Sequence, residues 1–341
     1  MGVWQIKGWE RDYLDNRLRG VLGEKAEIKF FEEILGPDDL AAESDYEIVS
    51  VFVGAEINKT VIAALPNLKL ITTRSTGFDH IDIAAAKARG IQVAYVPTYG
   101  ENTVAEHAFG LLLNLAHRIY EGYDRLREKG VYSYEGLEGF DLKEKTIGIV
   151  GTGHIGVYAI RIAKGLGMRV IAYDVTPRAE LEEELGFKYA ENLEALLEAA
   201  EVVSIHVPYL PATHHLIHKG NIGRMKKGAI LINTARGAIV ETAALVRALR
   251  EGKLGGAGLD VLEEEGVMKD ELGYLLSGED KSDIKVVIEN HALIDMPNVI
   301  VTPHSAFNTR EAKQRILEAT VKNIEGFFKN GKAANLAASN L

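Results

Sequence analysis

The chain has no cysteine, which excludes disulfides, thiolate metal sites and a cysteine nucleophile together. Basic charge is also scarce: 39 Lys and Arg stand against 49 Asp and Glu, a formal net charge of −10. The cations are dispersed, so the counterion release that drives binding to a nucleic-acid backbone has no clustered source. No nucleic-acid partner is expected. No apolar run approaches the length of a membrane span, and the start MGVWQIKGWERDY carries charge too early for a secretory segment. Ile6 occupies the place where a myristoylation signal needs Ser or Thr. No membrane partner is expected either, and a cytoplasmic location follows by default.

What is present suits a globular protein. The 341 residues are 47% hydrophobic and 26% charged, enough for two cored domains. Strand-like runs at 26–31, 48–53, 68–73 and 91–96, separated by helical or turn segments, read as one α/β unit. Runs at 202–207, 229–233, 256–260 and 299–302 alternate with helices such as 242–250 and read as a second.

Between the two lies the densest signal, residues 146–174, TIGIVGTGHIGVYAIRIAKGLGMRVIAYD. A buried strand with Ile147, Ile149 and Val150 runs into Gly151-x-Gly153-x-x-Gly156. A helix with apolar periodicity over 155–166 follows, then a strand ending in Asp174. Glycine-rich turns also close ordinary loops, so it is the strand–turn–helix–strand context that argues for a dinucleotide. The first two glycines let the backbone turn tightly and approach a pyrophosphate, and the third lets helix and strand pack closely. Asp174 would take the ribose hydroxyls and repel a 2′-phosphate. Val175, Thr176 and Pro177 add no compensating charge, although Arg178 follows. The expected cofactor is NAD rather than NADP.

Residues 103–129 read as one long helix, apolar around much of its girth through Val104, Ala108, Leu111, Leu112, Leu115, Ile119 and Leu126. Packing within the domain and a subunit interface account for this equally, and the expected assembly is a homodimer through this region. A helix at 309–329 with Ile316, Leu317, Ile324 and Phe327 would return the chain to the first domain, and 331–341 reads as a loose tail. The stretch 263–297 combines Glu263, Glu264 and Glu265 with Gly266, Gly273, Ser277, Gly278, Asp280 and Lys281. It reads as a long polar excursion, either functional or merely solvated.

Ligands of open parallel sheets bind outside the carboxyl ends of the strands. Read in order, those ends offer His206, Arg236, Asp260 and His304. A guanidinium directly after an apolar strand, as at Arg236 in LINTARG, can clamp a carboxylate with two parallel hydrogen bonds; an exposed loop arginine is the plain alternative. His304 in IVTPHSAF has a side chain that exchanges protons near neutral pH, against the alternative of a hydrogen-bonded structural histidine. His206, inside the apolar run SIHVP, is more simply a packed histidine. One of Glu263, Glu264 and Glu265 could stabilise a charged His304, but spacing does not select which.

Taken together, these segments resemble the D-specific 2-hydroxyacid dehydrogenase family over nearly the whole chain, and within it the lactate branch most. Besides GTGHIG and Asp174, the resemblance rests on RSTGFDHID at 74–82, VPTY at 96–99, TVAEH at 103–107, HVP at 206–208, NTARG at 233–237, GLDV at 258–261 and TPHSAF at 302–307. It implies two doubly wound parallel-sheet domains: a flavodoxin-like substrate domain of residues 1–100 and 308–341, with a Rossmann NAD domain, 101–307, inserted into it. It implies that Arg236 binds the substrate carboxylate, His304 is the acid/base, and Glu265, five residues after the Asp of LDV, orients and charges His304. For the substrate it further implies amide contacts from Thr76 and Gly77, with Tyr99 and Phe307 lining the side chain. For NAD it implies His154 and Ile155 at the pyrophosphate, Val207 and Pro208 along the adenosine with Thr213 nearby, Thr234 and Ala235 beneath the nicotinamide, and Asp260 at its carboxamide.

In the broader family a proline commonly follows the glutamate, whereas Gly266 stands here. That fits the lactate branch and weakens phosphoglycerate and hydroxypyruvate readings, and no regulatory domain is expected beyond residue 341. The implied reaction is reduction of pyruvate by NADH to D-lactate. D-2-hydroxyisocaproate or another 2-keto acid reductase is the alternative, as is a non-catalytic NAD(H) sensor like the corepressors that share the fold.

Overall fold

The computed structural model describes residues 1–36, 45–269, 271, 275 and 283–337. It divides into two compact units, Met1–Tyr99 with Asn308–Leu341, and Gly100–Phe307. Among the described residues, no helix is long and apolar enough to cross a membrane.

The first unit is built on a five-stranded parallel sheet of β1 (Gly2–Val3), β2 (Lys29–Phe30), β3 (Ile48–Val51), β4 (Leu70–Thr73) and β5 (Gln92–Ala94), in the order β2-β1-β3-β4-β5. Every residue of β3 and β4 is buried, as a parallel sheet covered on both faces requires. Helices Gly8–Leu22 and Arg310–Asn330 cover one face, where Leu14, Leu18, Leu317, Val321 and Ile324 share a core with Val3, Ile48 and Leu70. Trp4, Val49, Val51, Val61, Ile62 and Ile71 form the core of the other face.

Arg74, directly after β4, is 3% exposed. Its guanidinium donates to Ser50 Oγ at 2.9 Å, to the Gln5 carbonyl at 3.0 Å and to the Trp4 carbonyl. It therefore ties together the carboxyl ends of β1 and β3, and burial lowers its pKa to about 10.

The described part of the chain end is not loose. The Asn335 carbonyl accepts from Tyr95 N–H at 3.1 Å, Ala337 N–H donates to Val93 at 2.7 Å, and Leu336 bridges Ala94 in antiparallel fashion. Ala333 and Ala337 are buried. A run of small and polar residues hides this placement, because what holds it is backbone hydrogen bonding to β5. Residues 338–341 lie outside the described residues.

The second unit carries seven parallel strands: β6 (Thr146–Val150), β7 (Arg169–Tyr173), β8 (Lys188–Tyr189), β9 (Val202–Ile205), β10 (Ala229–Asn233), β11 (Leu254–Leu259) and β12 (Val299–Val301). Their order, β12-β11-β10-β9-β6-β7-β8, reverses between β6 and β9, the switch point at which such sheets bind ligands.

Residues 103–129 form two helices, Glu101–His117 and Ile119–Lys129, rather than one. Arg118 between them is left-handed, at φ 52°. The cause is tertiary: the returning chain inserts Phe140 N–H onto the Ala116 carbonyl at 2.9 Å, the acceptor that the next helical turn would have used. The first helix contributes Ala105, Ala108, Phe109, Leu111, Leu112 and Ala116 to the core of its own unit, whereas the second buries no residue.

Nor is 263–297 polar throughout. Helices Glu265–Lys269 and Ile284–Ile294 occupy parts of it, and Leu293 joins the core. Gly273, Ser277, Gly278, Asp280 and Lys281 lie outside the described residues.

Candidate active site

The glycine motif divides its work. A Cβ on Gly151 would lie 2.7 Å from the His206 carbonyl oxygen, and one on Gly156 2.0 Å from the Gly151 oxygen. A Cβ on Gly153 would meet nothing within 4 Å. The outer glycines thus serve close backbone packing, and the middle one faces open space at the start of helix His154–Gly165. That is the cradle a diphosphate fills, and both His154 and Ile155 begin the helix beside it.

At the end of β7, Asp174 accepts from Thr152 N–H at 2.7 Å, Thr152 Oγ at 3.0 Å and Thr176 N–H at 2.9 Å. Burial pushes its carboxyl up, but these hydrogen bonds and the Arg178 charge outweigh that and hold it below the ordinary value. Arg178 itself donates to the Thr152 carbonyl.

After β9, Val207 is half-buried and Pro208 exposed. Thr213 Oγ donates to the Pro208 carbonyl at 2.7 Å and accepts from Leu210 N–H at 2.8 Å, so this hydroxyl shapes the turn. His206 is buried, bonded to Ser204 Oγ at 2.9 Å, and burial lowers its pKa to about 4. It is a neutral, packed histidine.

After β10, the Asn233 side chain accepts from Ala235 N–H at 3.0 Å and donates to the Arg236 carbonyl at 2.9 Å. It folds the turn that presents Arg236, which is half-buried with Nη1 2.9 Å from the Ala235 carbonyl. Thr234 is 8% exposed and its hydroxyl has no hydrogen-bond partner. An unmet buried hydroxyl at a strand end is a fit for a polar cofactor group.

His304 follows β12 at φ 50°. Its N–H donates to the Asp260 carbonyl at 2.8 Å, and its Nδ1 lies 2.9 Å from Glu265 Oε2. The other Glu265 oxygen accepts from Leu262 N–H at 3.2 Å. Histidine and glutamate are each about a quarter exposed (26% and 25%), so the pair reaches the surface. With Nδ1 engaged, Nε2 is the nitrogen left to exchange a proton.

Asp260, at the end of β11, is 1% exposed. It accepts from Thr302 Oγ at 2.5 Å and from the Ser305 and Ala306 amides at 2.8 Å. His107 Nε2 adds contacts of 3.0 Å to Thr302 Oγ and 3.4 Å to the carboxylate. Burial raises the Asp260 pKa, but these donors outweigh it and the net shift is downward. Both its oxygens are engaged in fastening the turn that carries His304. Of the three glutamates, Glu265 reaches His304; Glu263 reaches His215 instead, at 2.6 Å, and Glu264 is exposed at φ 53°.

In the first unit, Thr76 Oγ donates to the Val96 carbonyl at 2.8 Å and Ser75 Oγ to the Gly77 carbonyl at 2.6 Å. The Thr76 and Gly77 amides have no acceptor among the described residues, and open adjacent N–H groups are an anion cradle. Tyr99 is half-buried, its carbonyl accepting from Arg315 Nε at 2.5 Å. Phe307, half-buried, ends the second unit.

His107, His215 and Asn233 make contacts beside the candidate residues that the sequence did not mark. The signal for Asn233 was local, an Asn two residues before an Ala-Arg-Gly turn; the histidines find their partners 195 and 48 residues away.

Residues 109–306 match the family model described as D-isomer specific 2-hydroxyacid dehydrogenase, NAD binding domain. The D-lactate dehydrogenase of Escherichia coli (strain K12) is 36% identical over 342 residues, covering 98% of each chain. A glyoxylate reductase from Thermofilum pendens is 39% identical over 278 residues, 80% of this chain and 76% of that one. Among solved structures, D-lactate dehydrogenase from Aquifex aeolicus, complexed with NAD and lactic acid, aligns with a TM-score of 0.84 at 34% identity, covering 98% of both chains.

Proposed function

Because the chain belongs to the D-isomer specific 2-hydroxyacid dehydrogenases and is an NAD-dependent oxidoreductase, we propose that its reaction is the reduction of pyruvate to D-lactate. The observation that carries the proposal is the His304–Glu265 pair at 2.9 Å, set at a strand end in the same unit as the Arg236 turn.

In this reading Arg236 grips the substrate carboxylate, a planar fork on a planar anion. The family resemblance assigns Thr76 and Gly77, whose amides are open, to the carboxylate as well, and Tyr99 and Phe307 to the side chain. When bound, the dinucleotide supplies the hydride. Its pyrophosphate is assigned to the Gly153 cradle with His154 and Ile155, its ribose to Asp174, its adenosine side to Val207 and Pro208 with Thr213 shaping their turn, and its nicotinamide side to Thr234 and Ala235. His304 Nε2 gives the proton to the keto oxygen as the alkoxide develops. Glu265 holds the ring through Nδ1 and offsets the imidazolium charge. Asp260, expected at the nicotinamide carboxamide, has both oxygens taken up in fixing the turn on which His304 rides. The expected assembly is a homodimer and the expected location cytoplasmic.

The test follows NADH absorbance with pyruvate, glyoxylate, hydroxypyruvate, 2-ketoisocaproate and phenylpyruvate, and determines product chirality. Pyruvate should give the highest kcat/KM and a D product. A higher value with 2-ketoisocaproate would move the substrate to the larger acid, and no turnover with any of the five despite NADH binding would remove the reading. His304→Gln should lower kcat by about 10²- to 10⁴-fold, the range for a positioned acid/base.

A further inference from the structure

Three glutamates in a row occupy one turn with three different fates, and only Glu265 belongs to the acid/base reading on which this inference rests. Glu263 has the least exposed side chain, at 11% against 25% for Glu265. One oxygen lies 2.6 Å from His215 Nε2; the other accepts from Thr242 N–H at 2.8 Å and Thr242 Oγ at 2.5 Å. Its own carbonyl accepts from Asn290 Nδ2 at 2.7 Å, and Asn290 is fully buried. A surface acid would show none of this.

The backbone beside it is equally constrained. A Cβ on Gly237 would lie 2.0 Å from the Leu262 carbonyl and 2.3 Å from Glu263 N, so the strip following Arg236 and the strip preceding Glu265 are pressed backbone to backbone. Leu262 N–H then reaches Glu265 Oε1 at 3.2 Å, the long end of the hydrogen-bond range, where a displacement of a few tenths of an ångström loses the bond. His215 belongs to the segment that follows Pro208 and Thr213, and its N–H donates to the Ala238 carbonyl at 2.8 Å. Glu263 therefore joins three strips that carry, separately, Thr213, Arg236 and Glu265.

We propose that Glu263 is a positioning residue for proton transfer: clamped by Thr242 and His215, it sets the Leu262 amide that aims the Glu265 carboxylate at His304. A purely structural role, capping helix Thr242–Arg250 through the Thr242 amide, would change stability and leave the chemical step alone.

A double-mutant cycle separates the two. Glu263→Gln should lower kcat about tenfold, the scale of coupling between hydrogen-bonded neighbours, and leave the Kd of NADH within about twofold. The primary isotope effect with 4-deuterated NADH should rise as hydride and proton transfer become slower than release. In a Glu265→Gln background the same substitution should add less than about a twofold loss, because its target is already gone. An unchanged kcat, or an equal loss in both backgrounds, overturns the proposal. Should Glu263→Gln fail to fold, His215→Gln enters the same cycle and must show the same non-additivity. Glu265→Gln is measured first: if it loses nothing, the acid/base reading falls and this inference with it, whereas a loss there beside an inert Glu263→Gln removes the inference alone.

Discussion

His304 holds a left-handed backbone, at φ 50°, which costs a residue with a Cβ about 1–2 kcal/mol. The conformation persists because the Asp260 carbonyl takes its N–H and the Asp260 carboxylate takes the next two amides. A ring so mounted has little freedom, and pre-positioning is where much catalytic advantage originates. The Asp174 side chain is held by hydrogen bonds from Thr152 and Thr176. Asp174→Ala should lower kcat/KM for NADH and raise the NADPH-to-NADH ratio by about tenfold, since the carboxylate that repels a 2′-phosphate is gone while Arg178 remains. If the ratio of the two initial-rate efficiencies does not move, the ribose assignment is wrong. At this scale the placement of Arg236 and His304 at strand ends was readable in the sequence because each follows an apolar strand. Spacing alone could not separate Glu263 from Glu265, which only the family resemblance selected, because their different partners depend on a left-handed residue between them and lie far along the chain.

Among the elements, β10 and helix Thr242–Arg250 coincide with their sequence expectations, since periodicity and turn residues bound both. The two-residue strands β1 and β8 are too short to show any period, and pairing alone makes them strands. The break at Arg118 is of the same kind, imposed by Phe140 on the Ala116 carbonyl. Within the unit the first helix is core, and the second leaves Ile119, Tyr120, Tyr123 and Leu126 exposed, with Tyr132 and Tyr134 bare beyond it. Contiguous exposed apolar surface of this kind commonly marks an association site, and Glu121, Asp124, Arg125 and Arg127 on the same helix supply both charges for a self-complementary contact. Sedimentation should give a dimer, and Tyr120→Glu with Tyr123→Glu should shift it to monomer without loss of the fold. A wild-type monomer at micromolar concentration would discard the homodimer.

For the molecule as a whole, acid is the destabilising direction. Buried His206 has a pKa lowered to about 4 against an ordinary 6.5. Above 6.5 neither the folded nor the unfolded chain protonates it. Between 6.5 and about 4 the unfolded chain takes up a proton that the folded chain refuses, so stability falls with pH and the loss levels off near 4 at roughly 3 kcal/mol. Asp174 and Asp260, both shifted down, hold their contribution above the ordinary carboxyl pKa and lose it as pH falls through the lowered values. Urea melts from pH 7 to pH 4 should therefore slope steeply for the wild type and less for His206→Asn; equal slopes would remove His206 as the cause. Two parallel-sheet units were legible because their strands recur at regular spacing, whereas the placement of the chain end was not.

That chain end has a further consequence. β5 is the outermost strand of its sheet, and an outermost strand with free amides is a template on which a second molecule can add its own strand. Asn335 takes the Tyr95 amide just past β5, and Ala337 donates to the Val93 carbonyl within it. The short C-terminal strip thus covers part of an edge on which an intermolecular sheet would otherwise grow.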